Sequence, residues 1–182
     1  MNYWQGTLIR LRAIEPDDAA TFYRWNMDSE RARFLDFIWP PSSMASVRAW
    51  TEEQTKHNLV NDRFFWVIEN TQGEPVGSIS THACDPRGGT FRYGLDIAPE
   101  QRRKGYAMEA VGMVLRYYFE ELRYQKVTVN IHSDNEASIE LHRKLGFQLE
   151  GRLRRMGFTG GAYFDELWFG MTAEEFQAAW PR

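Results

Sequence analysis

One stretch of the sequence decides the fold: Asp96-Ile97-Ala98-Pro99-Glu100-Gln101-Arg102-Arg103-Lys104-Gly105-Tyr106-Ala107. It predicts the end of a strand, a polar turn and the start of a long helix. A helix N-terminus presents unpaired N–H groups and the positive end of the helix dipole, so it binds anions. Gly105 lets the backbone approach a ligand closely, and the preceding basic residues suit a pyrophosphate. The stretch therefore indicates either an anion site or an ordinary solvated helix start.

The flanking residues place this turn and its helix between two strands. Residues 90–97 are β-rich, and the helix after Gly105 keeps apolar residues at i, i+3, i+4 and i+7. Beyond it, Val127, Val129 and Ile131 alternate with polar residues, which predicts a half-buried strand over residues 126–132. A helix that connects two strands in this way is a crossover, so we expect at least one parallel pair.

The rest of the chain adds further strands and helices in mixed order, which predicts an α/β (α+β) fold in one domain over residues 1–182. We expect strands at residues 7–14, 64–69, 75–83, 147–158 and 163–171, the second and third forming a hairpin. We expect helices at residues 15–27, 42–57 and 133–146, the last with a capping box at its start and Gly146 at its end.

Composition excludes several classes of function. The net charge of −3 argues against nucleic-acid binding, which needs a basic footprint. The one cysteine, Cys84, cannot form an internal disulfide, and the four histidines lack metal-ligand spacing. The first residues lack a signal-peptide pattern, and no run approaches the ~20 apolar residues of a membrane helix. We therefore expect a cytoplasmic protein with no metal and no membrane partner.

Two blocks of sequence resemble motifs of the GNAT N-acetyltransferase superfamily. Residues 102–107 resemble its R/Q-x-x-G-x-G/A acetyl-CoA signature, and residues 135–147 resemble its N-x-x-S-x-x-L-Y-x-K-L-G-F segment. The opening and closing segments are similar to the RimJ/RimL ribosomal-protein branch, and spermidine and phosphinothricin acetyltransferases have related patterns. Because the two motifs occur in the right order and at the right spacing, together they are far more specific than either alone.

The resemblance implies a fold and a reaction. The fold is a mixed, mostly antiparallel twisted sheet of about seven strands, with a central parallel pair splayed for acetyl-CoA and helices on both faces. The co-substrate is acetyl-CoA, and the acceptor is an amine. The RimJ/RimL-like branch includes dimers, so a homodimer is compatible with the sequence, which does not decide the oligomeric state.

The resemblance also implies where acetyl-CoA binds. The strand around Leu95, Asp96 and Ile97 would pair its backbone with the pantetheine arm. The pyrophosphate would be held by the backbone amides of Arg102, Arg103, Lys104, Gly105, Tyr106 and Ala107. On the second helix, Asn135, Ser138 and His142 share one face by their spacing. Lys144 lies off that face but could reach a phosphate or the sugar of CoA. Asn135 and Ser138 could equally be helix-cap residues, and both roles can hold together.

Direct attack of the amine in a ternary complex requires no protein nucleophile. Most relatives have a Tyr, the proposed general acid, where this chain has His142. An imidazole with an ordinary pKa of ~6.5 could donate a proton, accept one or only pack against CoA. A Glu that many members carry before the turn is absent, since the chain reads Phe91-Arg92-Tyr93. The base stays unassigned among Asp96, His82, Glu150, Asp165 and a water chain. A route through an acetylated Cys84 is also open.

Three functions remain open at this point. The leading one is N-acetylation of an N-terminal α-amine on a protein or peptide. The second is acetylation of a small amine such as a polyamine, an amino sugar or an antibiotic. The third is a catalytically silent acyl-CoA sensor. The resemblance places residues 26–57 over the acceptor cleft, and this segment is rich in aromatic and apolar side chains.

Overall fold

The computed structural model describes residues 2–35, 37–56 and 61–180, within which the chain forms seven strands and six α-helices. The strands are β1 Ile9–Arg12, β2 Phe65–Asn70, β3 Pro75–Asp85, β4 Thr90–Ile97, β5 Lys126–His132, β6 Gln148–Thr159 and β7 Ala162–Thr172. The helices are α1 Ala19–Asn26, α2 Ser29–Leu35, α3 Met44–Thr55, α4 Tyr106–Arg116, α5 Glu136–Leu145 and α6 Ala173–Ala179.

The strands form one sheet in the order β1-β2-β3-β4-β5-β7-β6. The pairs β1–β2, β2–β3, β5–β7 and β6–β7 are antiparallel, whereas β4 and β5 are parallel. The parallel register joins Thr90 to Lys126 and Arg92 to Thr128, and the two strands continue to Ile97 and His132. The mixed sheet and the parallel pair connected through α4 confirm the predicted fold class.

Several local predictions need correction. Helices α2 and α6 were not predicted, and the helix that begins at Tyr106 changes to a wider π-helical turn over Tyr117–Glu121. The start of α5 is capped by Asn135, whose side chain accepts a hydrogen bond from the Ser138 amide, rather than by a box beginning at Ser133. His57, the predicted end of the helix at residues 42–57, lies outside the described residues. None of the described helices combines the length and apolar composition needed to cross a membrane.

The chain divides into two compact units. The first contains the residues up to Thr81 together with Gly94–Met113, and the second contains His82–Tyr93 and the residues from Val114 onward. The prediction of a single domain over residues 1–182 stays a prediction.

The core of the first unit is aromatic and joins α1 to α3. Phe22 and Trp25 pack edge to face with their ring centroids 5.3 Å apart, and Phe22 meets Trp50 at 5.2 Å. The buried apolar residues of this cluster are Ile14, Ala19, Phe22, Trp25, Val47, Val67 and Ala98. Burial of aromatic rings contributes strongly to stability, so part of the high aromatic content serves packing.

The core of the second unit is built around Tyr118. Its ring stacks on Phe91 with the centroids 3.9 Å apart and meets Tyr124 edge to face at 5.1 Å. The π-helical turn carries Tyr118, and the Tyr124 amide donates to the Tyr118 carbonyl as the chain leaves the helix toward β5. The helix ends at the cap residue Leu122, whose amide donates to the Tyr117 carbonyl, and Arg123 with a φ of 61° has left the helical conformation.

The carboxylate of Glu109 holds the N-terminal segment in the first unit. It accepts hydrogen bonds from the Thr7 amide at 2.8 Å, the Thr7 hydroxyl at 2.6 Å, and the Leu8 and Ile9 amides at 2.9 Å. Partial burial by itself raises the pKa of Glu109, but these donors outweigh it, so the pKa is lowered from 4.5. The charged form is therefore favoured in the folded state.

We expect Glu109→Gln to lower the free energy of unfolding by about 1 to 3 kcal/mol at neutral pH, because several donors lose a charged acceptor. The folded-state pKa lies below the unfolded one. The contribution of Glu109 is therefore present above the unfolded value and lost as the pH falls through the folded value. Urea denaturation from pH 7 to pH 3 should show the difference between wild type and variant shrinking below about pH 4.5. Glu140→Gln, at an exposed helix position, is the control, and an equal effect there would contradict the assignment.

Candidate active site

The turn at residues 102–105 leads from β4 into α4 in the first unit. A short 3-10 turn at Pro99–Gln101 precedes it, and α4 begins at Tyr106. Arg103 and Gly105 have φ values of 63° and 85°, so both lie in the left-handed region. Glycine suits this conformation, and a Cβ at Gly105 would lie only 3.0 Å from Cδ1 of Leu8.

The same turn is exposed and positively charged. Arg102, Arg103, Lys104 and Gly105 face solvent, whereas Tyr106 and Ala107 are half-buried. Arg102 Nε donates to the Ile97 carbonyl at 3.3 Å, and Lys104 Nζ donates to Gln101 Oε1 at 2.7 Å. Because an α-helix leaves the amides of its first turn without intrahelical acceptors, this arrangement fits a pyrophosphate group.

A buried ion pair holds the C-terminal end of β4. Arg31 of α2 and Asp96 are only 6% and 8% exposed, and their side chains are in contact through Arg31 Nη2 and Asp96 Oδ2. Burial lowers the pKa of Arg31 to about 10, which still leaves it charged at neutral pH. The guanidinium also lies over the Trp25 ring, 4.4 Å from its centroid. Because its carboxylate is paired with a cation, Asp96 is a poor candidate for the base.

The backbone around Asp96 is also held closely by β3. The Ala98 amide donates to the Val76 carbonyl at 2.9 Å. A Cβ on Gly77 would lie 2.2 Å from the Asp96 carbonyl oxygen, so only glycine allows this approach. Leu95 is half-buried and Ile97 is buried. The first unit thus contains the predicted residues 95–97 and 102–107.

The second unit contains the predicted residues of α5. Asn135 is the N-cap, and its side-chain oxygen accepts from the Ser138 amide at 3.1 Å. Lys144 is exposed, with Glu140 of the same helix 3.9 Å away. The role of Asn135 as a cap is thus visible, while contacts of these residues with CoA stay predictions.

His142 lies in a buried aromatic setting and contacts a residue that the sequence reasoning did not select. The exposed fractions are 4% for His142 and 5% for Tyr93, and the Tyr93 hydroxyl is 2.8 Å from His142 Nε2. His142 Nδ1 is 2.7 Å from the Ser138 carbonyl oxygen. Burial lowers the pKa of His142, although the bond to Ser138 opposes the shift, and burial raises the pKa of Tyr93 well above 10. Both groups are therefore neutral at pH 7.

The other candidate bases have partners or exposed positions. Glu150 pairs with Lys126, and Asp165 accepts from Arg152 Nε at 2.6 Å. His82 is exposed. The hydrogen bonds from the Arg155 amide and the Arg152 side chain lower the pKa of Asp165, so it is a weak base.

The geometry around Cys84 does not favour a covalent route. Ala83 has a φ of 47°, which interrupts the strand alternation that would place His82 and Cys84 on one face. Cys84 Sγ lies 3.8 Å from the Tyr118 hydroxyl. Among the described residues, no group of three or more His, Cys, Asp or Glu side chains could hold a metal ion.

Comparison with known proteins agrees with both motifs. Residues 9–148 match the family model described as an acetyltransferase (GNAT) domain. The chain belongs to the GNAT acetyltransferase family. It is 44% identical over 177 residues to the SPbeta prophage-derived uncharacterized N-acetyltransferase YokL of Bacillus subtilis strain 168, with 97% of each chain covered. The protein is therefore an N-acetyltransferase with acetyl-CoA as co-substrate and an amine as acceptor.

More distant relatives include enzymes of known substrate. The spermidine N(1)-acetyltransferase of Vibrio cholerae serotype O1 is 26% identical over 157 residues, covering 86% of this chain and 88% of that protein. The crystal structure of a Vibrio cholerae spermidine N-acetyltransferase in complex with CoA and spermine superposes with a TM-score of 0.81 at 21% identity. It covers 92% of this chain and 97% of the other, and it shows that the two proteins share the fold.

We expect Asp96→Asn to lower the free energy of unfolding by about 3 kcal/mol or more, because it leaves the Arg31 charge buried without its counter-ion. Glu30→Gln in the same helix removes an exposed partner that lies 3.6 Å from Arg33, and it should cost less than about 1 kcal/mol. Urea denaturation at pH 7 measures both values. Similar losses in the free energy of unfolding in the two variants would show that the buried pair contributes no more to stability than an exposed pair.

Proposed function

We propose that the enzyme acetylates the N-terminal α-amine of a protein or peptide, by direct attack of the amine on acetyl-CoA in a ternary complex. The observation that carries this proposal is the exposed apolar run Phe37-Ile38-Trp39 between α2 and α3. Its side chains are 43%, 46% and 68% exposed, and the rings of Phe37 and Trp39 meet edge to face at 6.3 Å. Large apolar side chains that remain in water often form a binding surface, and these suit the first side chains of a peptide.

The composition of the same segment gives little support to a polyamine. Residues 26–56 hold five carboxylates, Asp28, Glu30, Asp36, Glu52 and Glu53, and four cations, Arg31, Arg33, Arg48 and Lys56. A polyamine carries several ammonium groups, and a site for it needs a clear excess of carboxylates. Because the excess here is a single carboxylate, the exposed apolar run is what favours an acceptor with one amine and an apolar body.

In this proposal, acetyl-CoA supplies an activated acetyl group, and the residues of the chain bind and orient it. The first-turn amides of α4 and the basic side chains of residues 102–104 bind the pyrophosphate. The backbone of Leu95, Asp96 and Ile97 pairs with the pantetheine arm, and amides near Asp96 and Ile97 stabilise the oxyanion. Asn135, Ser138 and Lys144 are further candidates for CoA contacts.

The acceptor class can be tested with a panel of amines and acetyl-CoA, following thiol release and the mass of the product. Peptides with an apolar first residue should react best. Trp39→Ala should lower kcat/KM for these peptides about tenfold, which corresponds to the ~1.4 kcal/mol expected for loss of apolar contact. Phe158→Ala, also an exposed aromatic, is the control. Preferred turnover of spermidine would refute the assignment of a peptide acceptor. Absence of turnover with every amine would refute the proposed acetylation reaction.

The pyrophosphate assignment can be tested separately by binding. Lys104→Ala should weaken acetyl-CoA about tenfold, because an exposed charge-assisted contact is lost. Its affinity for acetyl-pantetheine, which has no pyrophosphate, should not change. Calorimetric titration of both ligands gives the two values, with Arg87→Ala as an exposed-cation control. Equal weakening toward both ligands would contradict the assignment.

A further inference from the structure

The attacking amine must lose a proton during acetyl transfer, and the chain lacks the Glu that many relatives carry before the turn. We propose that Tyr93 and His142 form a relay that takes this proton, with the Tyr93 hydroxyl receiving it and His142 Nε2 as the final acceptor. The inference rests on the proposed function, since it assumes direct attack by an amine. It assigns Tyr93 a role in catalysis and defines His142 as a base rather than an acid.

The hydrogen bonds of His142 determine the direction of the relay. The Ser138 carbonyl oxygen can only accept, so Nδ1, 2.7 Å away, carries the ring proton. In a neutral imidazole the other nitrogen then has a free lone pair. His142 Nε2 therefore accepts from the Tyr93 hydroxyl at 2.8 Å, and the two lone pairs of the hydroxyl oxygen remain able to accept a proton.

Burial of the pair excludes the opposite direction. Donation by Tyr93 to the leaving thiolate would produce a tyrosinate, which its raised pKa strongly disfavours. Neutral His142 has no second proton with which to replace it. When the phenol accepts one proton and passes its own to the imidazole, no tyrosinate forms.

The amine nitrogen forms a bond to the acetyl carbon, and the resulting N–H proton moves to Tyr93 Oη while the Tyr93 proton moves to His142 Nε2. The C–S bond then breaks, and the electron pair leaves with the sulfur of CoA. The imidazolium returns the proton along the same path to the thiolate or loses it to solvent, which restores both residues. The products are the acetylated amine and CoA.

The placement of Tyr93 supports this role. It is two residues before Leu95 on β4, the strand whose end the proposed function assigns to the pantetheine arm. It is also hydrogen-bonded to the position of α5 at which the resemblance expects a phenol. Tyr93 of β4 therefore places a phenol against His142, the residue of α5 that stands where the resemblance expects a Tyr. Asp96, Glu150 and Asp165 are all paired with cations and do not compete as bases.

Two variants separate the relay from a structural role. Tyr93→Phe removes the hydroxyl, and His142→Gln keeps an acceptor for Tyr93 but cannot bind a proton at neutral pH. We expect each to lower kcat about 100-fold or more with little change in KM, as for loss of a general base. Tyr124→Phe, a buried tyrosine of the same unit, is the control. Melting temperatures show whether each variant is folded.

The pH profile of kcat gives a readout that packing would not change. In the wild type kcat should fall as the pH drops through a pKa below 6.5, as His142 becomes protonated, and this limb should be absent in His142→Gln. The side chains described in contact with the ring are Tyr93 of β4, Ser138 of α5, Phe147 and Phe169 of β7. Of these only Tyr93 titrates, and it does so far above this range.

Nitrogen-15 NMR of the wild type tests the orientation without relying on activity. The His142 signals, identified by their loss in His142→Gln, should show a protonated Nδ1 and an unprotonated Nε2. The opposite tautomer would overturn the relay. Turnover by wild type with unchanged kcat in either variant would overturn it too, and would leave the proposed function standing. Absence of amine acetylation by wild type would instead refute the proposed function itself.

Discussion

The buried ion pair between Arg31 and Asp96 is the interaction that holds the end of β4 and the turn after it in the first unit. Charges at this depth are stable only when they are paired, so the pair ties α2 to the last residues of β4. Gly77 allows β3 to approach the Asp96 carbonyl, which holds the same backbone from the neighbouring strand. The turn at residues 102–105 follows this strand end closely. Because the strand end is held in place, the backbone amides of the turn have a defined orientation.

In the second unit, the polar side chain of His142 lies in a largely aromatic environment. The Ser138 carbonyl and the Tyr93 hydroxyl satisfy the two ring nitrogens of His142, while Phe147 and Phe169 exclude water. A buried polar group needs such partners, and once it has them its tautomer is determined. The hydrogen bonds thus orient both side chains within a packed core, and the proposed relay uses that orientation.

Membership of the GNAT acetyltransferase family settles the reaction class, whereas the proposed acceptor rests on one short part of the chain. The run Phe37-Ile38-Trp39 is short and lacks regular structure, and its side chains stay exposed because they are not packed against a helix or the sheet. Other aromatics of the first unit, such as Phe22 and Trp25, are buried in its core. Aromatic residues that are close in sequence thus serve packing in one place and are available for recognition in another.

The sequence by itself determined the order of elements around the turn, including the bounds of β4 and β5, because the periodicity and the glycine positions there are local signals. It also determined the family, because two motifs keep their spacing. It did not reveal α2 or α6, which are short. The contacts of Arg31 with Asp96 and of Tyr93 with His142 join residues that are 65 and 49 positions apart in the sequence. Only the tertiary structure decided these contacts, because burial and pairing depend on which distant side chains meet, and no local pattern encodes that.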